Sequence, residues 1–171
     1  MIDRLNLPFD ASARGRHVEI RRATRGDLDS IIRLLSDDPI SAGRGDVASA
    51  EDADAYAAAL DRIIDDPGNE LVVVQDQAGA VVGTLQLTVI PGMARRGSTR
   101  LLVEAVRVTS TERSSGIGTA LMRWVMDQAA AEAGAPLVQL TSDAARVDAH
   151  RFYTRLGFVD SHVGFKYSAD V

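Results

Sequence analysis

Between positions 108 and 119 the chain reads Val108-Thr109-Ser110-Thr111-Glu112-Arg113-Ser114-Ser115-Gly116-Ile117-Gly118-Thr119. Small residues and glycines leave backbone N–H groups uncovered, and where such a run opens a helix, the partial positive charge of the helix N-terminus adds to them. Together they can cradle phosphate oxygens, with Arg113 adding a bidentate contact. The same glycines and serines also suit a tight turn and nothing more. Two common nucleotide patterns fail on named residues. A Walker loop needs lysine and then serine or threonine after its last glycine, but Gly118 is followed by Thr119 and Ala120; a dinucleotide fingerprint needs a third glycine where Leu121 stands. His17, His150 and His162 share no spacing that suggests a metal site. Cysteine is absent, which excludes disulfides, thiolate metal sites and a cysteine nucleophile.

The elements around this run follow from periodicity. Val18 and Ile20 alternate with polar neighbours as a short strand, and Thr24 can cap a helix whose apolar residues Leu28, Ile31, Ile32 and Leu35 fall at i, i+3, i+4 and i+7. A second helix is expected over about 51–64, with Tyr56, Leu60, Ile63 and Ile64 on one side and Asp65-Asp66-Pro67-Gly68 as its stop. Three β-type runs, 71–75, 81–90 and about 99–108, are separated by turn residues and predict an antiparallel meander. The glycine run then leads into the clearest helix, 116–133, with Ile117, Ala120, Leu121, Trp124 and Val125 on one stripe, closed by Gly134 and Pro136. A strand over 137–141, a helix over 147–156 capped by Gly157, and a terminal strand or two over 158–167 complete the chain. This order predicts an α/β or α+β fold with helices on the faces of a sheet.

With 171 residues, one domain is expected, spanning 17–171 behind a loosely held N-terminal arm of residues 1–16. The net charge of −5 argues against a nucleic-acid partner, which calls for a basic face. No stretch approaches the ~18 consecutive apolar residues that span a membrane, and the first sixteen residues lack the continuous apolar core of a signal peptide. A soluble, cytoplasmic protein with no membrane partner is the simplest expectation. Eighteen of the nineteen basic residues are arginine, Lys166 being the lone lysine, and genomic base composition accounts for that excess.

A strand leading into R-x-x-G-x-G and a helix resembles the GNAT superfamily of acyl-CoA-dependent N-acetyltransferases, with Arg113, Gly116 and Gly118 at the three defining places. A second segment, Ala149-His150-Arg151-Phe152-Tyr153-Thr154-Arg155-Leu156-Gly157-Phe158, is similar to the family's A-x-x-F-Y-x-x-x-G-F. The resemblance implies a mixed, mostly antiparallel sheet of about six or seven strands flanked by about four helices. It also implies acetyl-CoA as co-substrate, held by Arg113, Ser114, Ser115, Gly116, Ile117, Gly118 and Thr119 around its pyrophosphate, and no metal. By the same resemblance, backbone N–H groups of Val106, Arg107 and Val108 on a splayed strand would polarise the thioester carbonyl and stabilise the oxyanion. Two departures stand out: Ser114 replaces a frequent glycine, and Asp143-Ala144-Ala145-Arg146 lies where the family often has an asparagine that touches the cofactor arm.

The acceptor chemistry sets what else is needed. A primary amine with a pKa near 10.4 is neutral about once in ~2,500 molecules at pH 7, a penalty of roughly 4.6 kcal/mol unless a base helps. Glu104, the one acid inside the apolar strand Leu102–Val108, resembles the family's glutamate and would reach the amine through a water; it also suits a solvated strand face, paired with an arginine. Tyr153 resembles the family's general acid toward the thiolate. Its ordinary pKa of about 10 against about 8.5 for a thiol makes full transfer uphill by roughly 2 kcal/mol, which favours a hydrogen bond over complete donation. Trp124 and Met122 fit packing rather than a ligand box.

The expected function is direct acetyl transfer to a small-molecule amine in a ternary complex. Acetylation of a protein N-terminus or lysine, and a non-catalytic acyl-CoA-binding module, are the alternatives. Residues 27–70 hold twelve acids and three arginines, which would steer a cationic amine, whereas Arg95, Arg96 and Arg100 would suit an acceptor carboxylate or phosphate. Dimers are common in the family, so a homodimer is compatible with the resemblance.

Overall fold

The computed structural model describes residues 2–43 and 45–169. Six strands, β1 (Phe9–Ala13), β2 (Arg16–Arg22), β3 (Asn69–Asp76), β4 (Val81–Ile90), β5 (Arg100–Val108) and β6 (Leu137–Leu140), lie side by side in chain order. The first five pair antiparallel with their neighbours. Between them run α1 (Leu28–Ser36), the short α2 (Pro39–Ala42), α3 (Ala53–Asp65), the one-turn α4 (Ala94–Gly97), α5 (Ile117–Trp124) and α6 (Ala130–Glu132), and α7 (Val147–Arg155) follows the last strand. The class is α/β, as the pattern predicts. Chain contacts define two compact units, Met1–Gln139 and Leu140–Val171.

In the first unit β3 explains the layering. Leu71, Val72, Val73 and Val74 are all buried, which a strand achieves only when both faces are covered. Leu71 and Val73 join Ala23, Ile31 and Leu60 in one apolar cluster beneath α1 and α3. On the other face Val74 meets Gly83, where a Cβ would stand 3.4 Å from Val74 Cγ2 and 3.5 Å from Ile117 Cγ2, so the missing side chain lets α5 settle onto the sheet. Thr84, buried between strands, donates its hydroxyl to Val72 O at 2.8 Å.

The entry to α1 is set by charge. Asp27 accepts a fork from Arg21 at 2.8 and 2.9 Å and bonds to the Thr24 N–H and hydroxyl, closing a capping box. The Arg21 guanidinium, with Thr24, holds the Asp27 carboxyl down at about 2.

Several expectations change. The described part of the expected arm, residues 2–16, is not loosely held: Phe9–Ala13 forms the edge strand β1, and Ile2, Leu5 and Ala13 are buried. Arg22 donates to Leu5 O and Asn6 N–H to Glu132, long-range bonds that polarity patterning does not reveal. Ile64 is exposed, because α3 turns only Leu60 and Ile63 toward the cluster. The long helix after the glycines is interrupted by a π-helical turn, Val125–Ala129, between α5 and α6. In the second unit, α7 ends in a Schellman turn, with Phe158 N–H on Tyr153 O, Gly157 N–H on Thr154 O, and Gly157 at φ +98°. Beyond it, residues 158–169 form no strand, contrary to the period-2 pattern there.

Candidate active site

The site begins with a fault in β5. Gln86 pairs with Glu104 and Thr84 with Arg107, so Ala105 and Val106 together oppose Leu85. This is a β-bulge, and Ala105 makes it by adopting φ +51°. A left-handed alanine costs about 1–2 kcal/mol, so the surrounding pairing must hold it there. The extra residue shifts the alternation by one. Glu104 and Arg107, three apart and therefore on opposite faces of a regular strand, come to share the face that carries Gln86 and Thr84. Glu104 is exposed on it. Arg107 extends to α2, where its Nη2 donates to Ser41 Oγ at 2.6 Å, while its Nη1 donates to Val106 O at 2.9 Å. Val106, Arg107 and Val108 are half-buried.

Past β5 the chain enters the glycine run. Ser114 (φ +68°) and Gly116 (φ +95°) are both left-handed, which turns the chain sharply into α5. Gly116 is the N-cap of that helix and offers no side chain. The N–H groups of Ile117, Gly118 and Thr119, which no intrahelical carbonyl can reach, therefore remain for an outside acceptor. That arrangement fits a diphosphate. Gly116 is also required sterically, since a Cβ there would lie 2.8 Å from Arg14 Cγ.

Asp37, which patterning does not single out, organises the loop from the C-terminal end of α1. Its carboxylate accepts the Ser110 N–H at 2.5 Å and the Thr109 hydroxyl at 3.4 Å, and its carbonyl accepts Arg113 Nη2 at 2.5 Å. The Ser110 N–H holds the Asp37 carboxyl below the usual carboxylate range. Arg113 is thus kept beside the helix N-terminus, at a carbonyl that carries the partial negative charge of a helix end. On the other side Glu112 takes Arg16 Nη1 at 2.6 Å, a pair that lowers the Glu112 carboxyl. Both partners lie 73 or more residues away in sequence from the bonds that fix Ser110, Arg113 and Glu112. Only the folded sheet brings them together.

In the second unit Tyr153 sits half-buried on α7 between two edge-on aromatic neighbours, Phe152 at 5.1 Å and Phe158 at 5.8 Å between ring centres. His150 Nε2 lies 2.8 Å from Asp143 O, which ties the turn before α7 to its first helical turn. Among the described residues no group of three or more His, Cys, Asp or Glu side chains is placed to hold a metal ion, and no helix is long and apolar enough to cross a membrane.

Comparison with known proteins fits this geometry. The chain is 30% identical over 147 residues to the aminoalkylphosphonate N-acetyltransferase of Salmonella typhimurium, covering 86% of this chain and 88% of that one. Among solved structures it is similar to a protein of Bacillus halodurans described as a transcriptional regulator, at 40% identity and a TM-score of 0.83, covering 90% of this chain and all of the other. An acetyltransferase of Trypanosoma brucei shares the fold at a TM-score of 0.71 and 24% identity, with 89% and 99% of the two chains covered. The sequence profile of the acetyltransferase (GNAT) family matches residues 28–158, a span that holds both the bulged strand and the glycine run, and the chain belongs to that family.

Proposed function

We propose that this acetyltransferase moves the acetyl group of acetyl-CoA directly onto the primary amine of a small molecule that also carries an acidic group. The observation that carries this reading is the bulge at Ala105, which puts a carboxylate, Glu104, and a guanidinium, Arg107, on one strand face just upstream of the glycine run. Such a pair matches the two ends of an amino acid or aminoalkylphosphonate, and the Salmonella relative acts on the latter class. The acidic stretch 27–70 supports a cationic acceptor less than its composition suggests. Asp27, Asp37, Asp38, Asp46, Asp61, Asp66 and Glu70 are each committed to bonds within the fold.

Acetyl-CoA supplies an activated acyl thioester. Arg113 and the N–H groups of Ile117, Gly118 and Thr119 would hold its pyrophosphate, with Ser114, Ser115 and Gly116 shaping the turn around it, and the backbone N–H groups of Val106 to Val108 would receive the charge that develops on the carbonyl oxygen. Glu104 takes the proton of the acceptor ammonium through a water. Tyr153 is assigned, from its place in the A-x-x-F-Y segment, as the hydrogen-bond donor to the departing sulfur. With no cysteine in the chain, a cysteinyl acyl-enzyme is excluded, which favours direct attack by the amine.

Thiol release from acetyl-CoA across aminoalkylphosphonates, amino acids, polyamines, aminoglycosides and peptides tests the proposal. Turnover is expected with the acidic amines; turnover confined to polyamines or peptides overturns the acceptor assignment, and none with any amine points to a binding-only module. Arg113→Ala should weaken acetyl-CoA binding about 10- to 100-fold, the worth of a charge-assisted contact. Glu104→Gln should lower kcat while leaving acetyl-CoA affinity unchanged. Equal rates in that variant remove Glu104 from the mechanism.

A further inference from the structure

Gln86 stands directly opposite Glu104 in the pairing of β4 with β5, and residues directly opposite share a face of the sheet. Asn69 stands opposite Thr88, on that same face and one diagonal step from Gln86, which a long side chain spans. Gln86, Asn69 and Thr88 have no part in the proposed reaction, yet their side chains are wired in one direction. Asp66, in the turn before β3, accepts the Gly68 N–H at 2.7 Å and Asn69 Nδ2 at 3.0 Å. A carboxylate can only accept, so Asn69 turns its NH2 group toward Asp66 and its oxygen toward β4. That oxygen accepts the Thr88 hydroxyl at 2.6 Å and Gln86 Nε2 at 2.9 Å. The orientation of the Gln86 amide is thereby settled as well: its NH2 group points to Asn69, and Oε1 accepts nothing among the described residues.

Holding a glutamine in one rotamer through such a relay costs conformational entropy that a freely solvated side chain keeps. What the relay secures is a bare carbonyl oxygen beside Glu104, which is exposed and likewise makes no hydrogen bond or ion pair among the described residues. Two neighbouring acceptors with no donor match a group that carries several N–H bonds and a positive charge. We propose that Gln86 is a specificity-determining residue for the acceptor. Its Oε1 takes one N–H of a primary ammonium directly, next to the water through which Glu104 acts, while Asp66 and Asn69 are positioning residues that keep the amide from flipping. The inference rests on the reading of this strand face as the acceptor side. A carbonyl oxygen accepts both from the ammonium and from the neutral amine left when its proton passes through the water to Glu104. The contact therefore holds before and during transfer, and it acts on binding rather than on the chemical step.

Steady-state kinetics of the full chain with the amine that turns over fastest test this. Q86M keeps the length of the side chain and removes both amide atoms. KM for the amine should rise about 10-fold or more, the worth of a hydrogen bond to a charged group, with kcat within twofold and acetyl-CoA affinity as in the parent. An unchanged KM in Q86M, alongside the lowered kcat of E104Q, overturns the role of Gln86 and leaves the acceptor face standing. Parental kinetics in both variants overturn the face itself, and this inference with it. N69A frees the Gln86 amide to flip and should raise KM about threefold, and the double variant Q86M/N69A should be no worse than Q86M alone. Multiplying effects would mean that Asn69 does not act through Gln86, which overturns the relay. T88V removes a bond to the same Asn69 oxygen without touching the Gln86 amide; it should lower the melting temperature and keep the parental KM. A KM raised in T88V as much as in Q86M would assign the whole effect to loosened strands and overturn the proposal.

Discussion

At the scale of single residues, the site holds three left-handed positions, Ala105, Ser114 and Gly116, of which Gly116 and Ala105 are of opposite kinds. Gly116 is legible in the sequence, since a glycine opening a helix after Arg113 has an evident use. Ala105 is not: alanine has no preference for positive φ, and a bulge that depends on the partner strand leaves no periodic trace. Sequence reasoning therefore finds Glu104 and Arg107 one by one but cannot place them on one face. Gly116→Ala tests the legible position. It adds the cost of a left-handed alanine, about 1–2 kcal/mol, and drives a methyl against Arg14. Its melting temperature should fall by about 2–8 °C, and acetyl-CoA affinity should drop with it. A variant as stable as the parent, with unchanged affinity, would show that the loop does not need this conformation.

Among the elements, the start of α1 is where electrostatics can be measured. Asp27 is 7% exposed and its carboxyl is held at about 2, against an ordinary 3.8, by Arg21 and the Thr24 donors. A lowered folded-state pKa stabilises the fold above the unfolded value and ceases to do so as pH falls through the folded one. The contribution, about 2 kcal/mol by that shift, is thus complete above roughly pH 5 and fades between pH 4 and 2. Urea unfolding of the parent and of D27N should differ most at neutral pH and converge toward pH 2; a constant difference across that range would assign the effect to packing. The helices and the meander were readable because apolar residues recur at 3.6 or 2. The π-helical turn at Val125–Ala129 was not, since a one-residue slip in hydrogen bonding leaves the apolar stripe almost intact. Residues 2–16 escaped for another reason: β1 owes its place to pairing with β2 and to anchors such as Arg22 on Leu5 O, and its alternation is only five residues long, with alanine at two of its three apolar positions.

For the whole molecule, the acidic net charge and the chemistry are reconciled by use rather than by amount. Many acids of residues 27–70 cap, clamp or pair within the fold, and one of them, Asp37, braces the loop that the family signature had already marked. That loop is braced from a second side as well, by Arg16 on Glu112 and by the close approach of Gly116 to Arg14. These contacts lead us to predict that the turn between β1 and β2 and the mouth of the cradle open as one unit. Amide hydrogen exchange should detect this directly. Saturating acetyl-CoA should slow exchange in Phe9–Ala13, a strand with no assigned contact to it, in proportion to the slowing at Ser114–Thr119. Protection confined to the loop would mean that the two segments open separately. If they open together, a fusion or trim at the N-terminus acts as a remote dial on cofactor affinity.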